Sequence, residues 1–570
     1  MTRAAAAILG PAGAERRWLL ALALLVSIIS VWPLARLIWE ALAPQGALDL
    51  AIMRRVLDSP ATWRAMGRTL DTSLSGTLLS VVLGVAFAVL VTLTDIRRKP
   101  ALVFAFMIPL MLPSQITALA WISLLGPNSA ILQAMDLAPP PGSAHPLFGR
   151  GGIILLFGVE HAPLVFLALR AGLRALPREL VEAARACGAG AARTMLQIVL
   201  PIALPSLGAG ALLAFVSSIG NFGTPALLGI PVNYTTLATL IYQRLAGFGP
   251  SVLAQVAALS LVIGALALVG VVAHIWLTRR RDTRLIGLAP PAVPWRLGRM
   301  RLLVEGVCWL LILMLVVVPM MALIASSLVP AIGVALTAST VTFDAYGEAL
   351  LRQAVTSRAF INSFGLAAAA ALALTLIALP LARLIAWRPT RLARSIDLIV
   401  ELPFALPGIV LAIACILVFI KPLPLFGVSI YGTLWIIFIA YLARFLALAL
   451  RPLLSGLAQL DPALDEAAAA AGAGFTRRLA TILLPLLAPA AAASAILVFL
   501  TALNELTVSA LLWSSGRETL GVIVYSLQEG GDAPLAAAVS VVAIVIVLGL
   551  MALADFVGRR LPPGALPWRG

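Results

Sequence analysis

The sequence carries little charge for its length. Charged residues make up 11% of its 570 residues, hydrophobic residues make up 62%, and the mean hydropathy is +1.06. Soluble domains contain about 25% charged residues. This composition excludes a soluble globular protein and is typical of an integral membrane protein. Because lipid offers the backbone no hydrogen-bond partners, we expect its membrane-spanning segments to be helical.

Lysine is nearly absent, which excludes one class of enzyme. A P-loop that binds ATP needs a lysine directly after a glycine. The two lysines are Lys99, which follows Arg98, and Lys421, which follows Ile420. We therefore predict that the chain has no ATPase site, is not an enzyme and holds no cofactor of its own.

Cysteine is also scarce, with three residues in the chain. Cys187, Cys308 and Cys415 lie far apart and lack the spacing of metal ligands. They are interpreted as small packing residues. The sequence thus predicts neither a disulfide nor a metal site.

Acidic residues are outnumbered, and the formal net charge is +16. Nucleic-acid binding would require a basic face on a soluble domain, and no soluble segment is long enough to form one. We therefore expect the basic residues to mark the cytoplasmic loops, where arginine and lysine are retained.

Apolar segments that can cross a bilayer, which takes about 20 residues in a helix, recur along the whole chain. They predict an all-α membrane protein with about twelve spans. The first segment is longer than the apolar region of a signal peptide and is interpreted as a retained helix. The predicted spans are residues 18–42, 69–94, 101–125, 152–176, 202–229, 251–277, 302–326, 360–386, 396–420, 430–453, 486–513 and 536–558.

The clustered basic residues all fall on one side of these spans. This pattern predicts that both termini are cytoplasmic. The residues concerned are Arg16, Arg17, Arg97, Arg98, Lys99, Arg279, Arg280, Arg281, Arg284, Arg388, Arg391, Arg394, Arg559 and Arg560.

One polar stretch occurs twice. "LVEAARACGAGAARTMLQIVLP" covers residues 180–201, the first repeated loop, and "LDEAAAAAGAGFTRRLATILLP" covers residues 464–485, the second repeated loop. Their glutamate, first glycine, isoleucine and proline match at a constant offset of 284 residues. Both loops follow an even-numbered span and are predicted to be cytoplasmic.

The duplication extends over the whole chain. The proline pair of "PLMLP" (109–113) matches that of "PFALP" (403–407), and Asn221 matches Glu505. Six spans are an even number, so the two copies enter the membrane the same way up. We predict two parallel six-helix units, at residues 1–277 and 302–570, joined by a basic cytoplasmic linker at 278–301.

Each repeated loop predicts a helix, a turn and a second helix. In the first loop, Gly188 permits a left-handed turn that other residues resist, and Pro201 marks the start of the next span. An amphipathic connector on the membrane surface is the simpler alternative, but it would be expected to carry large apolar anchors. A face of mostly small residues instead favours a docked partner. That face consists of Leu180, Ala183, Ala184 and Cys187.

Both loops resemble the EAA loop of ABC importer permeases, which reads E-A-A, three residues, G, nine residues, I, one residue, L-P. The resemblance implies the ABC importer permease fold, a bacterial inner-membrane location, and docking to two copies of a separate subunit that binds ATP. It also implies a substrate-binding protein outside the membrane. The ATPase-coupling residues it implies are Glu182, Ala183, Ala184, Gly188, Glu466, Ala467, Ala468 and Gly472.

Polar residues at membrane depth are candidates for the translocation pathway. Asn221, Asn504 and Glu505 are predicted to line it, because the repeat places Asn221 and Glu505 at matching depth. Glu160 and His161 either share this role or form hydrogen bonds between helices.

The second unit looks most like ferric iron permeases, so ferric iron is the predicted substrate, with thiamine, polyamines and phosphonates as alternatives. A carrier driven by an ion gradient is the alternative of another class, because such carriers also have two parallel six-helix halves. External segments 43–68, 230–250, 327–358 and 514–535 are predicted to receive the binding protein.

Overall fold

The computed structural model describes residues 11–44, 46–247, 249, 251–279, 295–422 and 427–558. Within these residues the chain is helical and has no β-strand apart from one isolated bridge. In the described part of the chain, nine helices are long and apolar enough to cross a membrane, and three bent helix pairs bring the number of spans to twelve when each pair counts as one. The predicted all-α membrane fold is confirmed.

The N-terminal half is built from membrane helices and shorter connecting helices. In chain order they are α1 (Glu15–Leu42), α2 (Ala51–Asp58), α3 (Pro60–Leu93), α4 (Lys99–Met111), α5 (Ser114–Leu124), α6 (Arg150–Arg174), α7 (Arg178–Ala186), α8 (Ala191–Gly220), α9 (Gly223–Gly229), α10 (Leu237–Leu245) and α11 (Val252–Arg279).

The C-terminal half repeats this order. Its helices are α12 (Gly298–Ser327), α13 (Ala354–Trp387), α14 (Arg391–Ala405), α15 (Gly408–Phe419), α16 (Leu434–Leu457), α17 (Ala463–Ala470), α18 (Phe475–Leu486), α19 (Ala488–Leu503), α20 (Ser509–Leu512), α21 (Leu520–Glu529) and α22 (Ala533–Gly558).

The third and ninth predicted spans are each bent near the middle. The angle is 100° between α4 and α5 and 105° between α14 and α15. Leu112 and Leu406 are extended at the bends, and Pro113 and Pro407 follow them. A proline disfavours helical backbone in the residue before it. The expectation of continuous spans at 101–125 and 396–420 was therefore wrong.

The fifth and eleventh spans also differ from their predicted form. In each span the helix ends just before a polar residue. Helix α8 ends at Gly220, before Asn221, and α19 ends at Leu503, before Asn504. A new helix, α9, begins at Gly223. The eleventh span also has a bend at its start, where the angle between α18 and α19 is 82°. The matching stretch of α8 runs unbroken through Pro205. The two halves thus differ where these two spans begin.

Each half has a core of three mutually packed helices, α3, α6 and α8 in the first and α13, α16 and α19 in the second. These helices carry alanine, glycine and serine where they meet. In the first half, Gly84 packs against Val165 and Phe166, and the Ser80 hydroxyl donates to the Phe157 carbonyl at 3.1 Å. Small side chains allow such helices to approach closely without a hydrophobic driving force.

The first helix of each half packs mainly on the other half. Helix α1 contacts α13, α14, α15 and α16 of the C-terminal half, together with α11 of its own half. Helix α12 contacts α4 and α5 of the N-terminal half, together with α22 of its own half. The two halves are therefore interlocked by an exchange of their first helices.

The predicted unit boundaries at 277 and 302 stay a prediction. Most of the predicted linker 278–301 lies outside the described residues, as do Arg280, Arg281, Arg284, Arg559 and Arg560, on which part of the predicted orientation rests.

Candidate functional site

The two repeated loops have the same backbone geometry. Helix α7 ends in a turn at Gly188, with φ of +78°, and α17 ends in a turn at Gly472, with φ of +84°. In the first loop the Ala189 N–H donates to the Ala184 carbonyl at 2.9 Å, and in the second the equivalent bond is 3.0 Å. This is the Schellman arrangement, which favours glycine at the left-handed position. The predicted helix, turn and helix are confirmed in both loops.

The predicted coupling residues do not all face the same way. Glu182 and Ala183 are exposed on the first loop, as are Glu466 and Ala467 on the second. Ala184, by contrast, is 8% exposed and packs inward. Gly188 and Gly472 are exposed, while Ala468 is half-buried. The surface open to a partner therefore centres on the glutamate, the first alanine and the turn.

No new helix begins at Pro201, although the sequence predicts that a span starts there. Helix α8 runs from Ala191 to Gly220 without interruption and contains one turn of π-helix at Met195–Val199. The second loop has the equivalent π-turn at Leu479–Leu483. A π-turn changes the local hydrogen-bond pattern, so a proline that lacks an N–H can follow it inside a helix. The first repeated loop is thus continuous with a membrane helix.

The second loop is attached to the membrane helices by buried charges. Asp465 Oδ2 accepts hydrogen bonds from Arg383 Nη2 at 2.5 Å and from Arg478 Nη1 at 2.7 Å. Glu15 Oε1 accepts from Arg383 Nη2 at 2.8 Å and from Arg478 Nη2 at 2.7 Å. Arg388 also lies 3.3 Å from Glu15. We call Glu15, Arg383, Asp465 and Arg478 the buried charge cluster.

The first loop has no such charges at the matching positions. Val181 stands where the second loop has Asp465, and Thr194 stands where it has Arg478. Both are buried, and Val181 belongs to an apolar cluster of the N-terminal half. The Arg185 guanidinium lies 5.9 Å from the centre of the Trp295 ring, just before α12. Trp295 in turn pairs with Leu93, to whose carbonyl its N–H donates at 2.7 Å.

Breaks in four spans lie in contact with one another. We call these residues the central junction: 111–115, 220–223, 406–408 and 504–506. A Cβ on Gly220 would lie 3.1 Å from the Pro407 Cα, and one on Gly223 would lie 2.5 Å from the Ser114 Oγ. Both glycines thus allow a close approach that a larger residue would prevent. The Asn504 side-chain amide also donates to the Met111 carbonyl. Both halves therefore contribute to the junction and touch there.

The matched residues Asn221 and Glu505 have the same structural role. Asn221 Oδ1 accepts the backbone N–H of Thr224 at 3.1 Å, and Glu505 Oε1 accepts that of Val508 at 2.8 Å. Each side chain thus satisfies an N–H at the start of the short helix after the break. Neither is fully buried. Both lie at the junction. Their depth in the membrane and their contact with a substrate stay predictions.

Glu160 and His161 form hydrogen bonds between helices, one of the two readings predicted for them. Glu160 accepts from Asn221 Nδ2 at 3.2 Å and from Thr224 Oγ1 at 3.1 Å. His161 Nδ1 pairs with the Ser218 hydroxyl at 2.9 Å. Glu160 therefore belongs to the same polar group as Asn221.

The repeat replaces this group by an ion pair. Arg444 of α16 occupies the position of Glu160, and its Nε lies 3.7 Å from Glu505 Oε2. Arg444 also packs against Gly408, where a Cβ would lie 2.7 Å from its Nη1. The acidic side chain lies on α6 in the first half and after α19 in the second. The junction residues Asn221 and Glu505 thus contact one carboxylate, Glu160, and one guanidinium, Arg444.

The buried charge cluster escaped sequence reasoning. Its hydrogen bonds join residues up to 463 positions apart, a separation that no local pattern reveals. One signal was available in the repeat. Val181 and Thr194 of the first loop correspond to Asp465 and Arg478 of the second, which carry opposite charges and lie 13 residues apart.

Comparison with protein families gives one match that covers both halves. The family described as "Binding-protein-dependent transport system inner membrane component" matches residues 80–283 and again residues 378–566. Each matched segment contains one repeated loop and half of the central junction.

Two curated relatives align along most of the chain, and a third aligns along less than half of it. A protein of Sinorhizobium fredii named as a probable ABC transporter permease is 28% identical over 91% of this chain and 90% of its own length. A ferric transport system permease of Actinobacillus pleuropneumoniae is 26% identical over 95% of this chain and 78% of its own length. A Salmonella paratyphi A protein whose name refers to 2-aminoethylphosphonate transport is 27% identical over 40% of this chain and 79% of its own length.

Proposed function

The chain belongs to the family of binding-protein-dependent transport system inner membrane components, and from this premise we propose that it carries ferric iron across the bacterial inner membrane, powered by separate ATPase subunits. Its two family segments make it a fused, two-unit ABC importer permease. Family membership leaves the alternative of an ion-gradient carrier without support.

The observation that carries the coupling proposal is the repeated exposed surface. Glu182 and Ala183 in the first loop, and Glu466 and Ala467 in the second, stand beside identical glycine turns. One copy of an ATPase subunit would dock on each surface. ATP would be bound by those subunits, and their closure would favour one arrangement of the two halves over another. Ala184 would support the first loop from inside.

The central junction is the proposed pathway. A substrate can pass between the halves only where they separate, and they touch at the junction through Gly220 and Pro407. Asn221, Asn504 and Glu505 would become available to the substrate when these contacts open. Glu160, for which the sequence left this role open, and Arg444, which the sequence analysis did not name, join this proposed set because they contact Asn221 and Glu505.

Both termini are proposed to be cytoplasmic, as the arginine distribution predicts. Arg388 contacts Glu15 at 3.3 Å, and the backbone N–H of Arg97 donates to Glu305 at 2.7 Å. These contacts group the basic loops with the repeated loops. A substrate-binding protein would then dock on the opposite face, where segments 43–68, 230–250, 327–358 and 514–535 were predicted to receive it.

Ferric iron is favoured over phosphonate by the extent of the likeness. The ferric permease relative aligns with 95% of this chain, whereas the phosphonate-related protein aligns with 40%. Thiamine and polyamines stay as alternatives.

The coupling proposal is tested by Glu182→Ala and Glu466→Ala in cells that co-express the ATPase encoded with this chain. We expect each variant to insert normally and to retain less ATPase on purification, and the double variant to retain least. Glu179→Ala is the matched control, since Glu179 is an exposed glutamate on the same helix as Glu182. ATPase recovery equal to wild type in the double variant would refute the docking surface.

The substrate is tested by uptake of labelled ferric iron in iron-starved cells that lack this chain. We expect uptake to be lost and to return when the whole operon is supplied. Unchanged uptake would refute iron and direct the same assay to phosphonates, thiamine and polyamines.

A further inference from the structure

The start of each half lies beside the repeated loop of the other half. Glu15 and Trp18 lie near the start of helix α1, and Trp18 packs against Phe475 of the second loop with ring centres 5.8 Å apart. Residues 295–301, at the start of α12, lie beside the first loop through Trp295 and Arg185. We call residues 15–18 the first lead-in segment and residues 295–301 the second lead-in segment.

We propose that each lead-in segment braces the repeated loop of the opposite half, and that Glu15 is the positioning residue for the second loop. The bracing follows from the contacts themselves. Its role in ATPase coupling rests on the proposed function.

The chemistry of the buried charge cluster explains why Glu15 matters. Glu15 and Asp465 each accept bonds from both Arg383 and Arg478. Two carboxylates therefore balance two guanidiniums, and all four residues are at most 8% exposed. Removal of one carboxylate charge leaves two buried guanidiniums with a single anion, a situation that strongly favours opening the site to water.

The cluster ties three separate parts of the chain together. Glu15 comes from α1, Arg383 from α13, and Asp465 and Arg478 from either side of the turn at Gly472. Arg383 also lies 5.2 Å from the centre of the Phe475 ring. The second loop can therefore move separately from α1 and α13 only if buried ion pairs break.

The brace of the first loop is weaker. The cation–π contact between Arg185 and Trp295 spans 5.9 Å, and both side chains are partly exposed. Such contacts contribute less in water than buried ion pairs lose when broken. The second lead-in segment is itself held by Asp95, whose Oδ1 accepts the Leu297 N–H at 2.9 Å. We infer that the contact between Arg185 and Trp295 holds the first loop less firmly than the buried charge cluster holds the second.

Hydrogen exchange of the full chain in nanodiscs tests the proposal without any partner protein. In Glu15→Gln we expect the amides of residues 463–478 to exchange at least tenfold faster, while residues 178–194 exchange as in wild type. In Trp295→Ala we expect the reverse pattern with a smaller change. Glu15→Asp, which keeps the charge, should restore most of the protection.

The control is Arg16→Gln, since Arg16 is exposed and adjacent to Glu15. It should leave exchange in both loops unchanged. Equal acceleration of both loops in Glu15→Gln, or none in either, would overturn the proposal. Unchanged exchange in the core helices α13, α16 and α19 shows that the variant is folded.

A second readout connects the brace to coupling. With the ATPase present, Glu15→Gln should raise ATP hydrolysis per substrate transported at least threefold, and Glu15→Asp should bring this ratio back towards wild type. A raised exchange rate with an unchanged ratio would leave the brace standing and refute its role in coupling. Failure of the ATPase to bind the wild-type chain would refute the proposed function alone.

Discussion

The two repeated loops turn in the same way and are held by different chemistry. Gly188 and Gly472 have nearly equal φ angles and the same hydrogen-bond pattern. Below the turn, the first loop is anchored by Val181 in an apolar cluster, and the second by Asp465 in a buried charge cluster. The shared part faces solvent, and the different part faces the membrane helices. A duplicated element can thus keep its outer surface while its attachment diverges.

The largest expected difference comes from removing the anchor of each loop. Asp465→Ala should lower the free energy of unfolding by about 3–5 kcal/mol, because it leaves buried guanidiniums without their partner. Val181→Ala, the matched change, removes two buried carbons and should cost about 1.5 kcal/mol. SDS titration of the purified chain in mixed micelles measures both losses. Equal losses would mean that the charge cluster is not the stronger anchor.

A double-mutant cycle sharpens the same comparison. Asp465→Val with Arg478→Thr gives the second loop the residues of the first and removes one charge of each sign. The remaining Glu15 and Arg383 still balance, so the double variant should be more stable than the sum of the single losses predicts. We expect a coupling energy of about 0.5–3 kcal/mol from the same titrations. Additive losses would show that the two residues act independently.

Substitution of the turn glycine should cost the two loops the same free energy. Alanine at Gly188 or Gly472 meets no atom within 4 Å. The expected cost is therefore the left-handed backbone alone, about 1–2 kcal/mol in each loop. Local opening free energies from hydrogen exchange measure it, and asparagine should recover part of the loss because it tolerates this conformation. A clear difference between the two alanine variants would show that the turns are not equivalent.

The smallest effect concerns pH and the brace of the first loop. A hydrogen bond from the Leu297 N–H holds the pKa of the Asp95 carboxyl below its ordinary value of 3.8. The ionised form therefore favours docking of residues 295–301. The stabilisation of docking by the ionised Asp95 carboxylate is complete above its ordinary pKa of 3.8. This stabilisation is lost as the pH falls through the lowered pKa of the docked state.

Spin labels at Arg98 and Arg299 can follow this docking by distance measurement. We expect a narrow distribution at pH 7 that broadens below pH of about 4. Asp95→Asn should give the broader distribution at both pH values. A distribution that stays narrow in the variant would show that Asp95 does not hold the second lead-in segment.

Much of the architecture was predictable because it depends on local composition and on the repeat. Apolar length determines the spans, and the matched glycines determine the turns at Gly188 and Gly472. The bends at Pro113 and Pro407 were within reach as well, since the matched proline pairs were visible and a proline disfavours helix in the preceding residue. What misled the prediction was the assumption that each apolar run forms one straight helix.

The sequence could not predict which helices pack against each other, for a physical reason. Apolar helix faces in lipid do not specify which other apolar face they meet. The exchange of α1 and α12 therefore left no sequence pattern. Glu15 looked like one acidic residue in a basic N-terminal segment, and its partners Arg383 and Arg478 lie 368 and 463 residues away.

The exchange of first helices also affects how the protein is made. Glu15 leaves the ribosome 368 residues before Arg383, a delay of roughly 20–70 s at about 5–20 residues per second. During this interval α1 is in the membrane while its partners α13 to α16 have not been synthesised. The N-terminal half cannot finish assembling until the C-terminal half has followed it. Because one chain encodes both, the missing partner always arrives, in equal number and at the same place.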